Sequence, residues 1–325
     1  MVGYGSKRCR ILRMNEFRDK GEAPSLPREL REFLWAPPES FLAIPPEETP
    51  FDRCPVVVLP VPYESTVSYM GGTKFGPRGL IHASRFLELY DHELDFEPYQ
   101  IGIHTLPELL LPDSGPEPAL STLQRAVSEL IDAGKFVIMI GGEHSVSGPA
   151  ILAHADRHTD SRLSVLQLDA HCDLREEYEG TPYSHACVMH RVHRLVNLVS
   201  VGVRSLTTEE RRLIEECDIT VIFGHELRRD GWIERVIESL GETVYITLDV
   251  DFFDPSLVPA TGTPEPGGGD WYSTIDLLQR VFQERNVVGC DVVELAPIPG
   301  LVAPDFLAAK LVYKLVALYA RRHGY

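Results

Sequence analysis

A chain of 325 residues, 44% hydrophobic and 24% charged, has the length and composition of a globular protein built as one large α/β domain or two ordinary ones. Its 31 basic and 48 acidic residues leave a net charge of −17, which argues against nucleic acid as a partner, because phosphate binding wants a basic face. No apolar stretch approaches the ~20 residues of a membrane helix, the start lacks the apolar core of a secretory signal, and six cysteines without a CxxC pair suit reduced thiols and a cytoplasmic location.

Residues 1–50 are charged and proline-studded, with "EAPSLPREL", "WAPPES" and "AIPPEETP". Prolines at this density favour extended and turn conformations, so the stretch is expected to be an extension draped over a domain or serving an interface. The compact part, residues 51–325, begins in earnest at "CPVVVLPVPY" (54–63). Strands are expected at 136–140, 163–168, 197–202, 219–223, 243–248 and 287–293. Helices of amphipathic spacing lie between them, at 117–134, 205–217, 231–240 and 271–285, with "APDFLAAKLVYKLVALYARR" closing the chain. Continuous Val/Ile/Leu runs indicate strands buried on both faces, hence an α/β fold with a mostly parallel sheet between helical layers.

Residues able to do chemistry collect just past the strand ends. "FVIMI" runs into "GGEHS" and delivers His144; "LSVLQL" runs into "DAHCD" and delivers Asp169, His171 and Asp173. "TVYITL" runs into "DVDFFD" with Asp249 and Asp251, and "VVGCDVV" into "ELAP" with Glu294. In an open parallel sheet these tips share the carboxyl edge, where such folds bind ligands. Any one fragment is ordinary, since aspartates often end strands; four together point to a metal site. Four carboxylates are too much negative charge for one divalent ion but suit two. Oxygen-rich ligation with two imidazoles and no thiolate leans towards manganese over zinc. Two close metals holding a water lower its pKa and yield a nucleophile near neutral pH.

"GGEHS", "DAHCD" and "LDVDFFDPSLVPATGTPEPGG" resemble the three metal-binding segments of the ureohydrolase family, which includes arginase and agmatinase. The resemblance runs from about residue 54 to the carboxyl end. It implies a three-layer α/β/α fold, two Mn²⁺ per chain, and hydrolysis of a guanidinium group by a hydroxide held between them, with release of urea. It implies that His144, Asp169, Asp173 and Asp249 bind one manganese and that Asp169, His171, Asp249 and Asp251 bind the other. Glu294 matches the carboxylate that pairs with the substrate guanidinium. His185, in "YSHACVMHRV", matches a histidine that shuttles a proton near the leaving amine; the family often has "SHG" where this chain has "SHA". Homo-oligomers, trimers or hexamers, are implied as well.

Within the family, "VPYESTVSYMGGTKFGPRGLIHAS" (61–84) and "TGTPEPGG" resemble agmatinases, and "DAHCDLREEYEGTPYSHACVM" resembles them too, especially the archaeal type. Agmatine, cleaved to putrescine and urea, is therefore the expected substrate, with aminopropylagmatine, arginine and guanidinobutyrate as alternatives. Arginases carry an Asn-containing loop after their Asp-Ala-His segment that reads an α-carboxylate. Here that position reads "LREEYEG", and Glu176, Glu177 and Glu179 are expected to repel a carboxylate, with Arg175 among them. Thr263 and Glu265 are further candidate substrate contacts, Glu265 either reading the distal ammonium through water or bracing its loop. Two rivals of other classes are a single-zinc deacetylase of related fold, which needs fewer carboxylates, and a ureohydrolase-like chain without turnover.

Overall fold

Runs such as VVVLPV, FVIMIG and TVYITLD place apolar, largely β-branched residues at consecutive positions, which only a strand covered on both faces can bury. In the computed structural model, which describes residues 39–158 and 162–325, they form an all-parallel sheet. Its strands are β1 (Val56–Val61), β2 (Ile103–Thr105), β3 (Phe136–Gly141) and β4 (Ser164–Leu168). β5 (Asn197–Val203), β6 (Thr220–Phe223), β7 (Thr243–Asp249) and β8 (Asn286–Val293) complete it. Their spatial order is β2-β1-β3-β8-β7-β4-β5-β6. Two strands lie outside those expected from the sequence: β1, in the run read as the start of the compact part, and the short edge strand β2.

Alternation along each strand feeds two cores. Val56, Val58, Ile138 and Ile140 pack into one, against helices at Gly76–Ser84, Trp232–Ser239, Trp271–Glu284 and Ala303–Arg322. Leu59, Val61, Val137 and Met139 pack into the other, against helices at Pro116–Asp132, Ser147–Ala155, Val188–Val192 and Thr208–Glu216. This is the expected α/β/α sandwich. No helix among the described residues is long and apolar enough to cross a membrane.

The helix expected from 205 starts later, at Thr208, because Thr207 caps it. The Thr207 hydroxyl accepts from Glu210 N and the Glu210 carboxylate accepts from Thr207 N. Residues 205–207 are thereby left as a loop beside the carboxyl edge. Of the proline-rich start, residues 1–38 lie outside the described residues. Phe41 and Leu42 are buried in the first core, and Phe41 N donates to Thr105 Oγ1 at 3.0 Å.

Candidate metal centre and substrate cavity

Four strands that lie side by side in the middle of the sheet, β3-β8-β7-β4, supply the four tips that carry the candidate ligands. The glycine pair after β3 makes this approach possible. A Cβ on Gly142 would lie 1.9 Å from the Tyr63 carbonyl oxygen, so only glycine fits between the β1 and β8 tips. Glu143 N then donates to Tyr63 O at 2.9 Å, and Glu294 N donates to Gly142 O at 2.8 Å. After β4, Ala170 N donates to Asp251 and His171 N to Asp169, which ties that tip to the next. Asp173 and Glu294 sit at φ 52° and 65°. Left-handed backbone at non-glycine residues costs about 1–3 kcal/mol and gathers at functional sites.

The six ligand-type side chains meet. His144 Nδ1 lies 3.0 Å from Asp169, 3.0 Å from Asp173 and 3.4 Å from Asp249. His171 Nδ1 lies 2.9 Å from Asp251 and 3.6 Å from Asp169. Asp169 turns one oxygen to each imidazole, so it is shared between a His144–Asp169–Asp249 group and an Asp169–His171–Asp251 group.

The back of His144 decides what its front can hold. Its Nε2 is 2.9 Å from Thr247 Oγ1, and that hydroxyl donates to Asp291 Oδ1 at 2.7 Å. A hydroxyl has one hydrogen, so Thr247 accepts from His144 and Nε2 carries the proton. In the neutral ring Nδ1 is then a bare lone pair, buried and without a directed hydrogen bond, facing three carboxylate oxygens. That arrangement repels itself unless positive charge lies among those atoms, and two imidazoles with four carboxylates are donors of the kind hard divalent ions take.

The titration pattern makes the same demand. Burial, with the charges of Asp251 and Asp169 added, pushes Asp249 well above the ordinary carboxylate range, and burial beside Asp169 raises Asp173. Burial opposes a charged His171, but Asp251 and Asp169 outweigh it and push the ring up to about 12. Asp169, although buried, is held low by the two imidazoles. Protons here supply the positive charge that the ligand set otherwise asks of cations.

The cluster floors a cavity of about 300 Å³, whose lining includes His144, His171, Asp173, Asp249, Asp251, His185, Thr263, Glu265 and Glu294. Glu294 Oε1 accepts from His144 N at 2.5 Å, leaving Oε2 on the side of Gly262. Burial, with Glu143 and Asp251 nearby, outweighs that hydrogen bond and pushes Glu294 well above its ordinary value. An arriving cation pulls such a group back towards its charged form. His185 packs edge-on to Tyr178, with ring centroids 5.9 Å apart. Arg204 braces the Glu265 loop by donating to the Glu265 and Pro266 carbonyls, so the Glu265 side chain is not needed for that task.

One expectation needs correcting. Glu176, Glu177 and Glu179 are exposed and do not line the cavity; Arg175 and Tyr178 do. Leu174 N donates to Glu210 and Arg175 N to the Ala186 carbonyl, which fixes how the loop leaves the cluster, and the Arg175 guanidinium lies over the Tyr178 ring at 4.9 Å. The wall there is a cation on an aromatic face.

Sequence reasoning also passed over Glu143, Thr66, Thr247 and Asp291. Only Glu143 carried a signal, as an acidic residue wedged between a glycine pair and a ligand histidine.

The family model described as the arginase family matches residues 54–317. An N(1)-aminopropylagmatine ureohydrolase of Synechocystis sp. is 40% identical over 281 residues, 83% of this chain and 91% of the relative. An agmatinase of Bacillus cereus is 36% identical over 256 residues, 76% of this chain and 86% of the relative. The crystal structure of the agmatine ureohydrolase of Thermoplasma volcanium superposes with a TM-score of 0.79 at 29% identity, covering 91% of this chain and 98% of that one.

Proposed function

The chain belongs to the arginase family and is a ureohydrolase that cleaves a C–N bond of a guanidino compound, and from that premise we propose that its substrate is a guanidine on a polyamine chain, N(1)-aminopropylagmatine, with agmatine as the second reading. Urea and the freed amine are the products. Residues 51–325 act as one catalytic domain, with residues 1–50 as its extension.

His144, Asp169, Asp173 and Asp249 would hold one of two divalent cations, manganese by the oxygen-rich donor set, and Asp169, His171, Asp249 and Asp251 would hold the other. Such a pair of ions, when bound, makes a nearby water acidic enough to attack at neutral pH. The chain's own residues do the rest. Glu294, its Oε1 fixed by His144 N, offers Oε2 to the planar guanidinium and orients the carbon towards the cluster. His185 takes a proton released on attack. As the C–N bond breaks, its electron pair goes to the leaving nitrogen, which receives that proton, and the ring returns to neutral. Thr263 and Glu265 line the outer cavity, where the rest of the substrate passes.

What carries this reading is that Glu294, His185 and five ligand-type side chains from distant parts of the chain line one cavity, with the sixth, Asp169, buried against His144 and His171. The longer substrate is favoured by the relative named for it and by the mouth, where Tyr69 (76% exposed) and Met70 (54%) offer apolar surface to a methylene chain. Arg175, over the Tyr178 ring in the same lining, repels a cationic tail from its own part of the wall. The test is urea release from aminopropylagmatine, agmatine, arginine and guanidinobutyrate with added manganese. The expected order of kcat/KM is the order of naming; arginine ahead of both agmatine-type compounds overturns the reading.

A further inference from the structure

Glu143 is fully buried beside the metal cluster, yet it belongs to neither ligand group. Four donors face its two oxygens. Ser65 N and Thr66 N reach Oε2 at 2.5 and 2.6 Å, while Thr66 Oγ1 and Ser145 Oγ reach Oε1 at 2.9 and 2.6 Å. With donors on every side, the group has only lone pairs to offer. The single hydrogen of the Thr66 hydroxyl is therefore committed to Glu143.

That commitment fixes what Thr66 can do elsewhere. Its oxygen meets two groups of His185, the backbone N–H at 3.0 Å and the ring Nδ1 at 3.2 Å. It meets both as an acceptor. A bare Nδ1 would oppose lone pair to lone pair, whereas a protonated Nδ1 makes a hydrogen bond. Ser184 Oγ, 3.3 Å from the same nitrogen and accepting from Ala186 N, can take either role towards the ring, so the direction is set by Thr66. On the far side of the ring, Nε2 lies 2.9 Å from Ser68 Oγ at the exposed end, where a serine hydroxyl can donate to it.

We propose that Glu143 and Thr66 form a relay that holds His185 in its Nδ1–H tautomer and so leaves Nε2, on the open side of the ring, as the nitrogen that carries the proton. Both are positioning residues, and their effect on turnover rests on the proton-carrying role proposed for His185; the tautomer itself does not. The logic is that of a carboxylate orienting a catalytic imidazole, with a hydroxyl inserted between them. The same carboxylate also holds the backbone at Ser65 and Thr66, so the segment that carries Ser68, Tyr69 and Met70 to the cavity mouth is tied to the ring it faces.

The test uses the full chain. In metal-free protein labelled with ¹⁵N-histidine, the His185 signals are identified by their loss in His185→Asn, and they are expected to report Nδ1–H. Thr66→Val removes the acceptor and shifts the ring towards Nε2–H. Glu143→Gln, whose amide can donate to Thr66 and turn its hydroxyl hydrogen towards Nδ1, shifts it the same way. With manganese, Thr66→Val lowers kcat about tenfold at a KM within about twofold, part of the ~10²–10⁴ that a positioned proton carrier contributes. Thr66→Ser, which keeps the hydroxyl, restores both readouts. An Nε2–H ring in the wild type, or an unchanged tautomer in folded Thr66→Val, overturns the relay. Full kcat in His185→Asn overturns the catalytic reading of His185 instead and leaves the tautomer result standing.

Discussion

The two halves of the cluster are built differently. His144 is 1% exposed and stands on a buried network in which Thr247, Ser147 and Tyr245 all donate to Asp291. His171 is 24% exposed, leans on Asp251 and opens to the cavity. A ring backed by oriented hydroxyls is pre-set to hold a cation, because its tautomer and tilt are fixed before the ion arrives. A ring at the cavity wall keeps freedom to yield. One half is an anchor and the other an access side.

The largest expected effect comes from removing what the halves have in common. Asp249→Asn is expected to abolish urea release, by more than about 10³-fold, and to weaken both ions; full activity refutes its assignment to the centre. Next, a weak chelator is expected to strip protein loaded with divalent metal in two phases, the His171-side ion first, as followed by metal content against time. A single phase breaks the distinction between anchor and access. Thr247→Val is expected to weaken the His144-side ion by about 10–100-fold, the range for groups that orient a ligand, while the other ion keeps its affinity. Calorimetric titration of the metal-free variant reads both, and equal losses at the two sites count against an anchor. Arg175→Ala is the smallest, a change of KM of about two- to fivefold for a cationic substrate, in the direction of tighter binding, because an exposed charge acts through screening solvent. Steady-state kinetics on aminopropylagmatine and agmatine read it, and weaker binding on that substitution refutes the repulsive role.

The convergence of the candidate ligand side chains was legible because each comes after an apolar run long enough to be a central strand, and parallel topology sends such ends to one edge. Their alternation, as in Asp169, His171 and Asp173, is visible without coordinates. The supporting groups were hidden for the opposite reason. Thr247 lies inside β7, where a β-branched residue needs no special explanation, and Asp291 lies three residues before Glu294 in β8. The rim misled because a loop's charge says nothing about which of its side chains turns inwards. That choice fell to Glu210, which holds Leu174 N from a helix 36 residues further on.

The seat of β8 sets a timetable for the protein's birth. This last strand to be synthesised slots between β3 and β7, pairing Val137 with Gly289 and Thr247 with Asp291. A nascent chain thus displays all six candidate ligand side chains well before the strand that joins His144, on the β3 side, to the five carried by β4 and β7 has emerged. Contacts so distant in sequence form late, because long loops must close first. Until residues 286–293 dock, the four acids and His171 can already gather on the paired β4 and β7 while His144 stands apart on β3, so any ion caught early is caught without the His144 imidazole.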